Sequence, residues 1–171
     1  PYSGIDRAYL ENLPAIAEDE PLFTMNEFYL YFAAAETRDY ETAAKHINRI
    51  AALSPYLSAK EQRAALCELS YLNAILNDET QAKKCYAALC GDTACRSDAG
   101  GNSACDDGAE AFLTSAENRA AAAYYVLRGD FARSARYAEA AVTATKNEKF
   151  AGAEESEKLL LSPVREKLRP A

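Results

Sequence analysis

The residues of this chain best suited to chemistry are five cysteines, Cys67, Cys85, Cys90, Cys95 and Cys105. The run Cys90-x4-Cys95-x9-Cys105, with Cys85 about one helical turn before it, could present thiolates to zinc. It holds no Cys-x2-Cys pair and no neighbouring histidine. A Cys95–Cys105 disulfide would close a flexible loop, and it would need an oxidising compartment. Free thiols are the plainer expectation, with Cys67 and Cys85 serving as small apolar residues on helices. A metal- or redox-responsive loop therefore stands as an alternative reading.

The single histidine, His46, is the only imidazole from which a hydrolase could build a general base, so a surface histidine without catalytic duty is expected. Paired carboxylates at Asp19-Glu20, Asp106-Asp107 and Glu154-Glu155 fall at predicted helix starts, where the helix dipole favours acidic residues. Asp92, Asp98, Asn102, Asp106 and Asp107 match calcium ligands in type. They lack the alternating order and terminal glutamate of an EF-hand. The chain contains neither a GxxxxGK phosphate loop nor an HExxH zinc motif. No cofactor is implied, and the expected function is non-catalytic.

The elements that must position these residues are helices. Of the 171 residues 49% are hydrophobic, enough for one sizeable core, and no run alternates with period two. A net charge of -7 without a dense Lys/Arg block argues against a phosphate backbone as partner. No stretch reaches eighteen apolar residues, and the N-terminus has no signal-peptide pattern, so membrane insertion within these residues is not expected. Pro1 rather than Met at the start suggests a piece of a longer or processed protein.

Residues 24 to 55 set the pattern. Phe28, Leu30, Tyr31, Phe32, Ala34 and Ala35 are followed by a break at Arg38-Asp39, then Tyr40, Ala43, Ala44, Ile47, Ile50 and Leu53 at helical spacing before Pro55. Two helices joined by about three residues fold back antiparallel and need further hairpins to cover them. The expected organisation is one domain: an N-terminal cap at 1–20, hairpins at 21–55 and 58–90, a Cys-rich loop at 91–107, a third hairpin at 108–146 and a C-terminal segment at 147–171. Ser58 and Glu61 read as a capping box, Asp106 or Asp107 as the cap of the helix through Phe112 and Leu113, and Pro163 as the end of the last helix.

Aligned on their turns, Arg38-Asp39-Tyr40 with Ala43, Asn77-Asp78-Glu79 with Ala82, and Gly129-Asp130-Phe131 with Ser134 form a loose repeat. With Leu30, Ile47, Pro55, Leu69, Tyr86, Leu89, Tyr125 and Ala141 at helix-packing positions, the chain resembles the tetratricopeptide repeat. It departs from that family in having no Trp, with Glu79 in place of an aromatic and Ser134 and Ala138 in place of Ala and an aromatic. The resemblance implies an all-α fold of antiparallel hairpins stacked as a right-handed superhelix. It also implies a concave face for a protein or peptide, lined by Tyr29, Phe32, Glu36, Glu68, Tyr71, Ile75, Arg119 and Leu127. Those aromatic rings could instead belong to the core.

A second set of words, Asp19-Glu20-Pro21-Leu22, Asp39 to Ala44, Cys67-Glu68-Leu69, Ala121 to Leu127 with Gly129-Asp130, and Gly152 to Glu157, resembles the cytosolic helical region of bacterial site-2-type membrane metalloproteases. The Cys-rich loop has no counterpart there. This resemblance implies a regulatory or substrate-presenting appendage, cytoplasmic and tethered to the membrane through a segment upstream of Pro1, with the zinc ligands outside this chain.

Overall fold

The computed structural model describes residues 21–94, 112, 114–148 and 150–170. The expected N-terminal cap and most of the Cys-rich loop lie outside the described residues. Within them are seven α-helices: α1 (Pro21–Glu36), α2 (Tyr40–Ala52), α3 (Ala59–Ile75), α4 (Glu79–Ala94), α5 (Ser115–Leu127), α6 (Phe131–Ala144) and α7 (Ala153–Leu168). Two short 3-10 turns, Ser54–Tyr56 and Thr145–Asn147, follow α2 and α6. Among the described residues there is no strand.

One local design closes all three hairpins. Arg38, Asn77 and Gly129 each adopt a left-handed backbone (φ 62, 60 and 76°), and the following aspartate donates its N–H five residues back, to the carbonyls of Ala34, Asn73 and Tyr125. These paired bonds satisfy the last carbonyls of the outgoing helix, a Schellman-type ending. The same aspartates then start the next helix: Asp39, Asp78 and Asp130 accept from the backbone N–H of Thr42, Gln81 and Arg133. Each turn is therefore a C-cap fused to an N-cap, and it fixes the antiparallel return within three residues.

The other helix starts differ in part from expectation. Ser58 caps α3 by accepting from Glu61 N–H, and its hydroxyl donates to Glu61 Oε1, so the two residues pair through their side chains. The helix through the alanine run starts later than Asp106-Asp107 would set it, at Ser115. Thr114 accepts from Glu117 N–H and donates to Glu117 Oε1 at 2.7 Å, so Thr114 takes the cap. Asn118 holds the incoming chain by donating to the carbonyls of Phe112 and Thr114, which keeps Phe112 out of the helix. At the other hairpin, α4 runs on to Ala94, so the first residues assigned to the loop are helical. Pro163 does not end α7, which continues to Leu168. The proline removes one donor, for the carbonyl of Leu159, and Leu159 is 39% exposed, where water can replace that donor.

The hairpins α1/α2, α3/α4 and α5/α6 pack in sequence, and α5 also lies along α3. Helix α5 is the centre. Ala120 to Ala123 are fully buried, and their small side chains let α3 and α6 approach closely. Ser134 of α6 fits against this run and donates to the carbonyl of Ala122 at 2.7 Å. Helix α7 packs on α6 and α5 and reaches back to α1.

Candidate functional site: a polar seam under the last helix

Seven side chains from α1, α3, α5 and α7 make buried polar contacts beneath α7. Arg119 of α5 donates through Nη2 to Glu68 of α3 and through Nη1 to Glu157 of α7. Tyr31 of α1 donates to the second oxygen of Glu68 at 2.7 Å. Ser156 of α7 donates to Glu36 of α1. Tyr71 of α3 donates 2.5 Å to the backbone carbonyl of Leu160, in the turn of α7 that Pro163 loosens. The guanidinium carbon of Arg119 lies 5.5 Å from the Tyr71 ring centroid and 5.8 Å from that of Phe32.

Of the residues expected on a concave face, Phe32, Glu36, Glu68, Tyr71 and Arg119 therefore converge here. Glu36, Glu68, Tyr71 and Arg119 are buried and Phe32 is half-buried. Ile75 and Leu127 belong to the apolar core and its edge, and Tyr29 is half-buried on α1. The face on which these residues meet is covered in this structure by α7. The α7 residues Ser156, Glu157 and Leu160 and the α1 residue Tyr31 complete the site, and none of them was expected on the concave face. The available signal was the buried face of α7, Ala153, Ser156, Glu157, Leu160, Leu161 and Val164, which repeats at three- and four-residue steps.

The electrostatics of the seam follow from its burial. Two carboxylates flank one cation. Burial alone would weaken the charge on Arg119, but Glu157 and Glu68 outweigh it and hold the guanidinium firmly protonated. Glu157 is pushed up to about 7, first by burial and then by the nearby charges of Glu68 and Glu148, against the pull of Arg119. Arg119 Nε and Glu157 Oε1 are buried without a hydrogen-bond partner. The contact uses one Nη and one carboxylate oxygen, so the bidentate pairing open to an arginine fork is left unmade.

The outer end of α7 is held differently, from the turns. Arg38 donates to Glu166 (2.6 and 3.1 Å) and to Ser162 (2.6 Å), and Lys167 donates to Asn77 Oδ1 at 3.2 Å. Among the described residues Arg38 and Asn77 are the two non-glycine positions with positive φ, where a side chain costs about 1 kcal/mol relative to glycine. In both cases the side chain that glycine would lack reaches α7.

His46 departs from expectation: it is buried, and its Nδ1 lies 2.6 Å from Glu27 Oε2. Arg49 pairs with the other oxygen of Glu27 at 2.8 Å, so the three residues stitch α1 to α2. The thiols divide. Cys67 is buried and free, its pKa pushed up to about 12 by burial, and Cys85 is free and raised by the same cause. Such thiols are poor nucleophiles. Cys90 is disulfide-bonded, so its sulfur is not a thiolate here. Cys95 and Cys105 lie outside the described residues. Among the described residues no group of three or more His, Cys, Asp or Glu is arranged to hold a metal ion, and no helix is long and apolar enough to cross a membrane. A cleft of about 270 Å³ between α2 and α3, lined by Ala51, Gln62, Arg63 and Leu66 among others, has its polar groups engaged elsewhere. Gln62 donates to Leu57 O, and Arg63 bonds to Glu117 and Leu89 O.

No family model matches the chain, and neither a curated protein nor a solved structure does. What the site can do is therefore read from its geometry.

Proposed function

We propose that the chain is a non-catalytic protein- or peptide-interaction module of tetratricopeptide-like build, whose recognition face is formed by the first helices of the three hairpins. The observation that carries this reading is the convergence of Tyr71 and Arg119, from two different hairpins, on a single helical segment. Tyr71 engages one main-chain carbonyl of that segment, and Arg119, also paired with Glu68, engages one side-chain carboxylate. Aromatic rings beside a fixed charge suit the anchoring of a helix in a groove. In this reading the chain serves as the regulatory appendage of a larger bacterial membrane-associated protein such as a site-2-type metalloprotease, on the cytoplasmic side.

The test is selection of helical peptides from a displayed library against the full chain and against its Glu157→Ala form. Enrichment from either protein that is lost on Arg119→Met supports the reading. Failure to retain any peptide at micromolar affinity overturns it.

Cys90 favours a second reading, a redox-responsive domain, because its disulfide ties the end of α4. Disulfides persist mainly in oxidising compartments, which pulls against a cytoplasmic setting. Reduction by dithiothreitol that lowers the melting temperature and alters peptide binding together would favour this alternative. Unchanged binding would remove it.

A further inference from the structure

We propose that α7 is a built-in occupant of the recognition face, displaced by a partner's amphipathic helix that offers a carboxylate one turn ahead of a Leu-Leu pair. This rests on the interaction-module reading and adds to it the chemistry of the partner and the means of regulation.

Three features set α7 apart from a helix that merely completes the core. Beside the aliphatic side chains of Leu160, Leu161 and Val164, which enter the core, its buried contacts are polar: Glu157 on Arg119, Ser156 on Glu36, and the Leu160 carbonyl on Tyr71. Groups of this kind recover hydrogen bonds to water on release, so they oppose departure much less than an apolar face of equal size. Its outer end is held by exposed pairs, with Arg38 and Glu166 side chains 42% and 51% exposed, and such pairs are weak and screened by salt. Its fit is also incomplete, since Arg119 Nε and Glu157 Oε1 face burial without partners. A competitor helix that brings no unpaired carboxylate oxygen into the seam would avoid the cost that Glu157 Oε1 carries there.

The pattern of the occupant follows from what α7 presents. Ala153, Ser156, Glu157, Leu160, Leu161 and Val164 share its buried face. A partner helix needs small residues at the first two of these positions, an acidic residue at the third, and branched aliphatic residues at the rest. The approach to α7 supplies a hinge: Gly152 sits at φ 84° immediately before the helix, after the short 3-10 turn at Thr145–Asn147.

The probe is a fluorescein-labelled peptide of residues 150–170, titrated into the full chain. The wild-type protein is expected to bind it weakly and the Glu157→Ala protein at least tenfold more tightly. Arg119→Met in the Glu157→Ala background should abolish binding. Absence of binding to a folded Glu157→Ala protein would make α7 a fixed structural helix and overturn the proposal. A peptide from library selection that binds wild type and Glu157→Ala equally would overturn it too, while leaving the interaction reading intact. A dimer that forms at high protein concentration and is lost on Arg119→Met would assign the occupant to α7 of a second copy, which also overturns the partner-helix proposal. Should Glu157→Ala not fold, hydrogen exchange on wild type decides. Exchange of α7 amides at least tenfold faster than those of α5, and faster still at high salt, supports displacement, and equal protection overturns it.

Discussion

The two sides of α5 are built on opposite principles. Toward α4 and α6 it presents Tyr124 and Tyr125, which join Tyr86 and Tyr137 in a continuous ring cluster. Tyr86 stacks on Tyr124 at 4.2 Å, Tyr125 stacks on Tyr137 at 5.6 Å, and Tyr86 meets Tyr125 edge-on at 5.9 Å. Toward α1, α3 and α7 the same helix presents Arg119 and the carboxylates it gathers. The aromatic side gains its stability from area removed from water and from ring geometry, neither of which needs a particular partner. The charged side gains little net stability, because desolvation of three ionic groups offsets most of their attraction. What it gains is specificity, since a helix without an acid at one position would leave the Nη1 donor of Arg119 buried without an acceptor. Stability and selectivity are thus carried by different faces of one helix.

The contrast is sharpest under deletion. Arg119→Ala should cost about 3 to 5 kcal/mol, because Glu68 and Glu157 would be left buried without their cation. Replacing all three residues with apolar ones of similar size (Arg119→Met, Glu68→Leu and Glu157→Leu) should restore most of that loss, as read by urea unfolding. A triple variant no more stable than Arg119→Ala would mean that the seam contributes real stability, and the comparison would fail.

On the aromatic side, Tyr125→Ala should cost about 3 to 4 kcal/mol through lost packing and a cavity. The hydroxyl of Tyr86 is buried with only a weak polar contact to Tyr125, so Tyr86→Phe should change stability by no more than about 1 kcal/mol. The measurement is the shift in thermal midpoint. A marked loss on Tyr86→Phe would point to a polar role within the ring cluster.

The charged side should also respond to pH where the aromatic side does not. Glu157 has a folded pKa raised to about 7, above its ordinary value near 4.3 when unfolded. The folded state therefore binds the proton more tightly. The resulting stability is fully present below about pH 4.3 and is lost as pH rises through about 7. The expected loss is about 3 to 4 kcal/mol across that window. Subtracting the stability profile of Glu157→Gln from that of the wild type isolates this contribution. A flat difference profile would place the ionised carboxylate in the folded state throughout.

The smallest effect concerns the turns. Gly129 has open space where a Cβ would stand, so Gly129→Ala should cost only the backbone penalty at φ 76°, about 1 kcal/mol. Asn77→Gly relieves the equivalent strain but gives up the bond from Lys167. It should change global stability by less than about 1 kcal/mol while speeding exchange of the last turn of α7.

Much of the fold was legible because it is local. The turn aspartates, the Ser58 cap and the apolar spacing of α1 to α6 act within a few residues, so periodicity and capping chemistry reveal them. Where two local signals competed, the reading erred: Thr114-Glu117 outranked Asp106-Asp107, and Pro163 was absorbed by a helix already fixed by its buried face. The burial of His46 was invisible, because its partner Glu27 lies on another helix and no spacing rule links the two.

By itself the sequence determined that the chain is helical and where the hairpins turn. Short-range geometry suffices for both. Only the tertiary structure decided that Arg119, Glu68 and Tyr71 meet, and what lies over them. Helix α7 is joined to the hairpins through a short turn and a glycine, and its docking depends on Arg119 meeting Glu157, on Tyr71 meeting the Leu160 carbonyl, and on Arg38 meeting Glu166. Those contacts span 38, 89 and 128 residues of chain. They are chosen by burial and charge pairing in three dimensions, to which a helical period is blind.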